Sequence, residues 1–198
     1  MLLALIPPCS LLMRGTYATM PDWWGVVDMG HIAASKHANW VIAPFLGSNA
    51  AYGMSATYLM KKFGFLKFTK SGIRFHPTRL SMLGVWVAVA GVVSTIYHSV
   101  QALGSYALAE NLCYIDHAIA GSATFYFLDT CGIPSKKTLM VGALAAVTLV
   151  FSTPSYAGIH SLWHYLSALT ATRWALDGYK RIFTSGEELV VEQELEQA

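Results

Sequence analysis

GIHSLWHYLSALTATRWALDG, which spans residues 158–178, is an apolar segment that carries two histidines four residues apart. On an α-helix, residues i and i+4 lie on one face about one turn apart. His160 and His164 are therefore predicted to point into the same site. Polar and ionisable side chains are costly inside a membrane span, and they usually face the interior of a helix bundle and mark a site. The segment therefore predicts a helix that supplies two side chains to a buried site.

The composition of the whole chain favours a membrane protein. Hydrophobic residues make up 55% of the 198 positions and charged residues only 12%, which is too apolar for an ordinary soluble domain of this length. Long stretches lack Asp, Glu, Lys and Arg altogether, namely residues 37–60, 80–109 and 138–172. A spanning helix needs about 20 mostly apolar residues, so each stretch can hold at least one.

Five membrane spans are predicted. The last uncharged stretch is too long for one helix, and Thr153-Pro154-Ser155 is a natural turn within it. The spans cover approximately residues 37–60, 80–103, 110–128, 138–152 and 156–176. The expected fold is an all-α, polytopic transmembrane helix bundle over residues 37–181. An unassigned or interfacial segment (1–36) precedes it, and an acidic cytoplasmic tail (182–198) follows it.

Basic residues cluster in alternate connections of this model, at positions 61–79, 136–137 and 180–181. The positive-inside rule then places the C-terminus in the cytoplasm and the start of the first span on the opposite side. The net charge of only +2 gives no argument for a nucleic-acid partner.

The three cysteines, Cys9, Cys113 and Cys131, are widely spaced and form no CxxC pair. This spacing suggests neither a disulfide framework nor a thiolate zinc site. The cysteines are predicted to be apolar fillers.

The predicted topology brings several polar side chains to one depth. His98 lies near the end of an outward-running helix, and Ser94 precedes it by four residues and shares its face. Asp116 lies about two turns into the next, inward-running helix. His160 and His164 lie about one to two turns into the last inward-running helix. All of these residues are therefore expected near the non-cytoplasmic face.

Three imidazoles at one depth suit a catalytic zinc centre, in which three protein ligands leave a fourth tetrahedral position to water. The metal lowers the pKa of that water to about 7 and supplies hydroxide for attack on a carbonyl. Asp116 is placed to hold the water or to take its proton. Ser94 can hydrogen-bond either that carboxylate or the developing oxyanion, and the sequence leaves both roles open.

These residues resemble the pattern of a known family. Ser94-x-x-x-His98, an aspartate at the head of the next span, and His160-x-x-x-His164 in the last span look like the motif of the CREST superfamily of membrane hydrolases. That superfamily includes alkaline ceramidases, progestin and adiponectin receptors, GPI-anchor lipid-remodelling proteins and myomaker-like proteins. The local sequence His160-Ser-Leu-Trp-His164 is most similar to the last two branches. The resemblance covers about residues 80–178.

The resemblance implies a zinc ion held by His98, His160 and His164, with Asp116 and Ser94 as catalytic groups around the metal-bound water. It also implies hydrolysis of an acyl amide or ester bond in a membrane lipid, such as a ceramide-like lipid, a phospholipid or a GPI lipid. Family members usually have seven spans, so five spans would make this chain a shortened member. A site on the lumenal side favours similarity to the GPI-remodelling branch. The protein is then expected in the endoplasmic reticulum, Golgi or plasma membrane.

Two other functions remain open from the sequence. Two histidines on facing helices can hold haem for electron transfer, for example His98 or His117 against His160 or His164. A non-catalytic receptor-like protein or scaffold could keep zinc only for stability.

The remaining histidines are predicted to lie outside the centre. His31, His37 and His76 are interpreted as packing residues. His117 lies about 100° around its helix from Asp116 and is expected to face elsewhere.

Overall fold

The computed structural model describes residues 38–69, 72–102, 106–150 and 156–185. The helices are α1 (Ala38–Gly47), α2 (Ala50–Lys62), α3 (Arg79–Ala102), α4 (Tyr106–Cys131), α5 (Lys136–Val150) and α6 (Tyr156–Ser185). Strands β1 (Leu66–Thr69) and β2 (Gly72–Phe75) form an antiparallel hairpin between α2 and α3. The predicted N-terminal segment, 1–36, and residues 186–198 of the predicted tail lie outside the described residues.

The described residues are mostly helical, which confirms the all-α expectation in its coarse form. Helices α3, α4 and α5 begin and end within a few residues of the predicted spans. Helix α6 begins where it was predicted to begin but continues past residue 176 to Ser185.

The first predicted span, 37–60, is not one continuous helix. Helix α1 ends at Gly47 and α2 begins at Ala50, with a turn at Ser48 and Asn49 between them. Pro44 lies inside α1, and its ring removes one backbone donor and strains the preceding turn. After Gly47, the backbone N–H of Asn49 donates to the Leu46 carbonyl, at 3.2 Å, instead of to the carbonyl four residues back.

The connection after α2, predicted as a basic loop, contains the β1–β2 hairpin. Helix α2 ends at Lys62. Gly64, two residues later, has a left-handed φ of 69°, and the N–H of Phe65 donates to the Met60 carbonyl at 2.9 Å. This pattern is a Schellman motif, in which glycine adopts the left-handed conformation at no steric cost. It turns the chain directly into β1.

Helix α6 contains residues 158–178. It is the central helix of the bundle, because it packs against every other described helix. Hydroxyl groups join it to α2: Tyr52 Oη lies 2.6 Å from Ser167 Oγ, and Ser55 Oγ lies 2.6 Å from Thr172 Oγ1. The indole N–H of Trp174 donates to the Gly132 carbonyl just after α4, at 2.7 Å. These bonds satisfy buried polar groups and fix the position of α6 against its neighbours.

The main apolar core lies at one end of the bundle. Its buried members come from four helices and are Ala56, Leu59, Leu80, Leu83, Val87, Phe127, Cys131 and Ala175. On α3, Leu83 precedes His98 by fifteen residues, which is about 22 Å along the helix axis. The histidines therefore lie at the end of the bundle opposite to this core. Cys113 and Cys131 are buried in two apolar clusters, as predicted.

Within the described residues, α3 is the helix that is long and apolar enough to cross a membrane. Both the surface and the interior of the bundle carry side chains that are unusual for their position. Large apolar side chains are exposed on several helices, among them Val92, Ile96, Ile115, Phe125, Met140, Leu144, Leu162 and Leu169. Many buried side chains, by contrast, are polar, including Ser48, Ser94, His98, Gln101, His160 and His164.

Candidate metal centre

Three histidines from two helices meet at the end of the bundle opposite to the apolar core. His98 lies near the C-terminal end of α3, and His160 and His164 lie on one face of the first turns of α6. The Nε2 atom of His98 lies 3.3 Å from Nε2 of His160 and 3.2 Å from Nε2 of His164. One ligand atom from each residue lies within 4.8 Å of the others. The predicted convergence of these three side chains is therefore observed, and they can hold a metal ion.

The centre is closed to solvent. The exposed fractions of His98, His160 and His164 are 1%, 7% and 1%. Phe45 of α1, which is fully buried, packs against all three imidazoles, with ring centroids 4.8 Å from His98, 5.9 Å from His160 and 6.0 Å from His164. The Tyr52 ring lies 5.8 Å from that of His164. Aromatic rings therefore give the centre a dry, rigid wall on the side of α1 and α2.

Hydrogen bonds on the far side of two rings determine which nitrogen carries the proton. His98 Nδ1 lies 2.8 Å from Gln101 Oε1, which can only accept. His164 Nδ1 lies 2.7 Å from Ser48 Oγ, whose own proton is donated to the Phe45 carbonyl at 2.5 Å. In both rings Nδ1 is thus the donor, and a neutral imidazole then has a lone pair on Nε2.

This arrangement fits a metal ion. Two Nε2 lone pairs that face each other at 3.2 Å cannot form a hydrogen bond. A cation between them satisfies both, and the third imidazole faces the same point. Imidazole nitrogens are favoured ligands of zinc and of several transition metals. The donor set therefore suits a divalent ion of that class.

Of the two predicted catalytic residues, Ser94 lies on the same helix as His98, and Asp116 lies on the next helix. Ser94 is buried on α3, four residues before His98. Asp116 is half-buried on α4 and is not one of the side chains that form the three-histidine donor set. It interacts electrostatically with His117 and with Tyr52, the residue that lies against His164. Asp116 is thus near the centre but outside its ligands.

The other described histidines are not part of the centre. His117 is exposed, and its Nδ1 donates to the Cys113 carbonyl of its own helix at 2.7 Å. This agrees with the prediction that it faces elsewhere. His76 is exposed between β2 and α3, so it does not pack in the interior as expected. His31 and His37 lie outside the described residues.

Sequence reasoning missed four residues of the centre: Phe45, Ser48, Tyr52 and Gln101. Gln101 follows His98 by three residues on a helix, so the i,i+3 spacing was a usable signal. Phe45 and Ser48 carry no such signal, because Ser48 and His164 are separated by 116 residues. Only the packing of α1 against α6 brings them together.

The chain was compared with known proteins in three ways. A scan against protein-family models, a search of curated proteins and a search of solved structures each found no match.

Proposed function

We propose that this protein is a zinc-dependent membrane hydrolase that cleaves an acyl amide or ester bond of a lipid. The observation that carries the proposal is the convergence of three buried imidazoles, two of which present Nε2 lone pairs to one point. Three protein ligands leave one coordination position open, which is typical of catalytic rather than structural zinc sites. When bound, zinc would supply hydroxide near neutral pH and polarise a carbonyl oxygen.

The lipid substrate is proposed from two sources. The first is the resemblance of residues 80–178 to the CREST superfamily, which hydrolyses lipids with this residue pattern. The second is the set of large apolar side chains that are exposed on several helices, beside a centre made of buried polar groups. A chain with such a surface would lie in lipid, which is the phase that holds the proposed substrate. The acyl amide of a ceramide-like lipid and the acyl ester of a phospholipid or GPI lipid are the candidate bonds.

Asp116 and Ser94 are the proposed catalytic groups. A carboxylate near the centre but outside its ligands can accept and return a proton. Ser94 shares the face of α3 with His98, where its hydroxyl can stabilise the developing oxyanion.

Asp116→Asn is expected to lower the rate of lipid hydrolysis by about 100-fold or more, because proton transfer contributes about 10²–10⁴-fold in enzymes. The zinc content should stay at the wild-type level, since the side chain is not a ligand. Glu110→Gln removes another acid from the same helix and serves as the matched control. Loss of zinc in Asp116→Asn would instead make this carboxylate a ligand.

The proposal is tested by purifying the full chain in detergent and offering it fluorescent ceramide, phospholipid and GPI-type substrates. Hydrolysis that is lost on treatment with a zinc chelator, and restored by added Zn²⁺, is the expected result. Zinc that binds without hydrolysis of any substrate would favour the receptor-like or scaffold function. A Soret band would favour haem, although Nε2 atoms 3.2–3.3 Å apart behind Phe45 suit a small ion better.

We also propose that the protein is a multi-pass membrane protein of the endoplasmic reticulum, Golgi or plasma membrane, with a cytoplasmic C-terminus. It should stay in the membrane pellet during alkaline carbonate extraction. A C-terminal tag should be digested by protease added to sealed vesicles whose cytoplasmic face is outside. Release into the carbonate supernatant would contradict membrane integration, and a protected tag would reverse the orientation.

A further inference from the structure

Two of the three imidazoles donate a hydrogen bond from Nδ1 to an uncharged side chain, on the side of the ring away from the other histidines. Gln101 Oε1 accepts from Nδ1 of His98, and Ser48 Oγ accepts from Nδ1 of His164. Both partners are buried, with exposed fractions of 3% for Gln101 and 0% for Ser48. At such sites water cannot replace a missing hydrogen bond, so each partner determines the state of the ring it touches.

We propose that Ser48 and Gln101 are positioning residues, which set the metal affinity of the centre by fixing the tautomer and orientation of His164 and His98. The inference rests on the proposed metal-binding function. An imidazole whose proton is on Nδ1 has its lone pair on Nε2, which is the atom that faces the other two rings in each case. If that proton moved to Nε2, the nitrogen facing the metal could no longer bind it.

Ser48 lies at the break in the first predicted span, where its hydroxyl proton is donated to the backbone. In a continuous helix, the Phe45 carbonyl would accept from the N–H of Asn49. Here that N–H bonds to Leu46, and the Phe45 carbonyl accepts from Ser48 Oγ. The Ser48 hydroxyl proton is therefore donated to the Phe45 carbonyl of α1, and a lone pair of Oγ accepts from Nδ1 of His164. Through Ser48, the backbone of Phe45 is thus linked to His164, one of the ligand rings.

Both outer partners are uncharged, whereas metal-bound histidines often donate to a carboxylate or a backbone carbonyl. A carboxylate makes the ring a stronger donor and offsets part of the metal charge. A hydroxyl and an amide would leave more of that charge on a bound ion.

The inference is tested on full-length, metal-free protein in detergent, titrated with Zn²⁺ against a chromophoric chelator. Ser48→Ala and Gln101→Leu should each weaken zinc binding by about 10–100-fold. Ser48→Thr keeps the hydroxyl and should restore binding. Gln101→Glu keeps an acceptor and adds a charge, so it should bind zinc at least as tightly as the wild type.

Ser55→Ala is the matched control. Ser55 is also a buried serine of the α2 region with hydrogen bonds to α6, to Thr172 Oγ1 and the Ala168 carbonyl, but it does not touch a ligand. Its loss should leave zinc affinity at the wild-type value. Wild-type affinity in Ser48→Ala and Gln101→Leu would overturn this inference alone, as would an equal loss in Ser55→Ala. A wild-type protein that binds no zinc would overturn the proposed function together with it.

Discussion

Replacing His160 and His164 together with alanine is expected to abolish metal binding, from about one zinc ion per chain to less than about one tenth. Two of the three donor nitrogens are removed, and a single imidazole cannot hold zinc against a chelator. The hydrolysis proposed for the wild type should disappear with the metal. The measurement is metal content by mass spectrometry on detergent-purified protein after gel filtration.

His117→Ala is the control for this double variant. His117 is exposed and bonds to the backbone of its own helix, so its removal should leave the zinc content unchanged. The single variants His98→Ala and His164→Ala should each lose zinc as well, because the two Nε2 atoms face the same point. Wild-type zinc content in the double variant would rule out this donor set.

Much of the centre could be predicted from local spacing and from the level that each residue has along the five predicted spans. The i,i+4 spacing placed His160 and His164 on one face of a helix. Alternating basic connections gave each predicted span a direction. Because a helix rises about 1.5 Å per residue, the position of a residue in the sequence then gave its expected depth. His98 could then be assigned to the same level, and the three rings do meet there.

The remaining contacts could not be predicted because they depend on how the first predicted span breaks. Uncharged residues 37–60 look like one helix by hydropathy alone, and a break changes which side chains point inward. The turn at Ser48 and Asn49 brings Phe45 and Ser48 against His98 and His164. The depth argument also placed Asp116 level with the histidines, but depth alone gives neither its rotation about the helix nor its distance from them.

Gly84→Ala is expected to destabilise the protein strongly, because α2 and α3 pack closely at this glycine. An added Cβ would lie 2.7 Å from Met60 Cγ, 2.8 Å from the Met60 backbone nitrogen and 2.9 Å from the Ala56 carbonyl oxygen. A side chain can rotate away, but two backbone atoms of α2 cannot move unless the helices separate. Overpacking costs about 1–3 kcal/mol and occasionally more, and each kcal/mol lowers Tm by about 2–4 °C in a chain of this size.

The unfolding temperature can be followed with a thiol-reactive dye, since Cys113 and Cys131 are buried in the folded protein. A Cys9→Ser background restricts the signal to those two thiols. The matched control is Gly53→Ala on α2, where an added Cβ would meet nothing within 4 Å. There alanine should stabilise the helix by about 0.5–1 kcal/mol. The same chemical change is thus expected to lower Tm at Gly84 and to raise it at Gly53. Equal effects at both positions would mean that helix propensity, and not the contact between α2 and α3, determines the result.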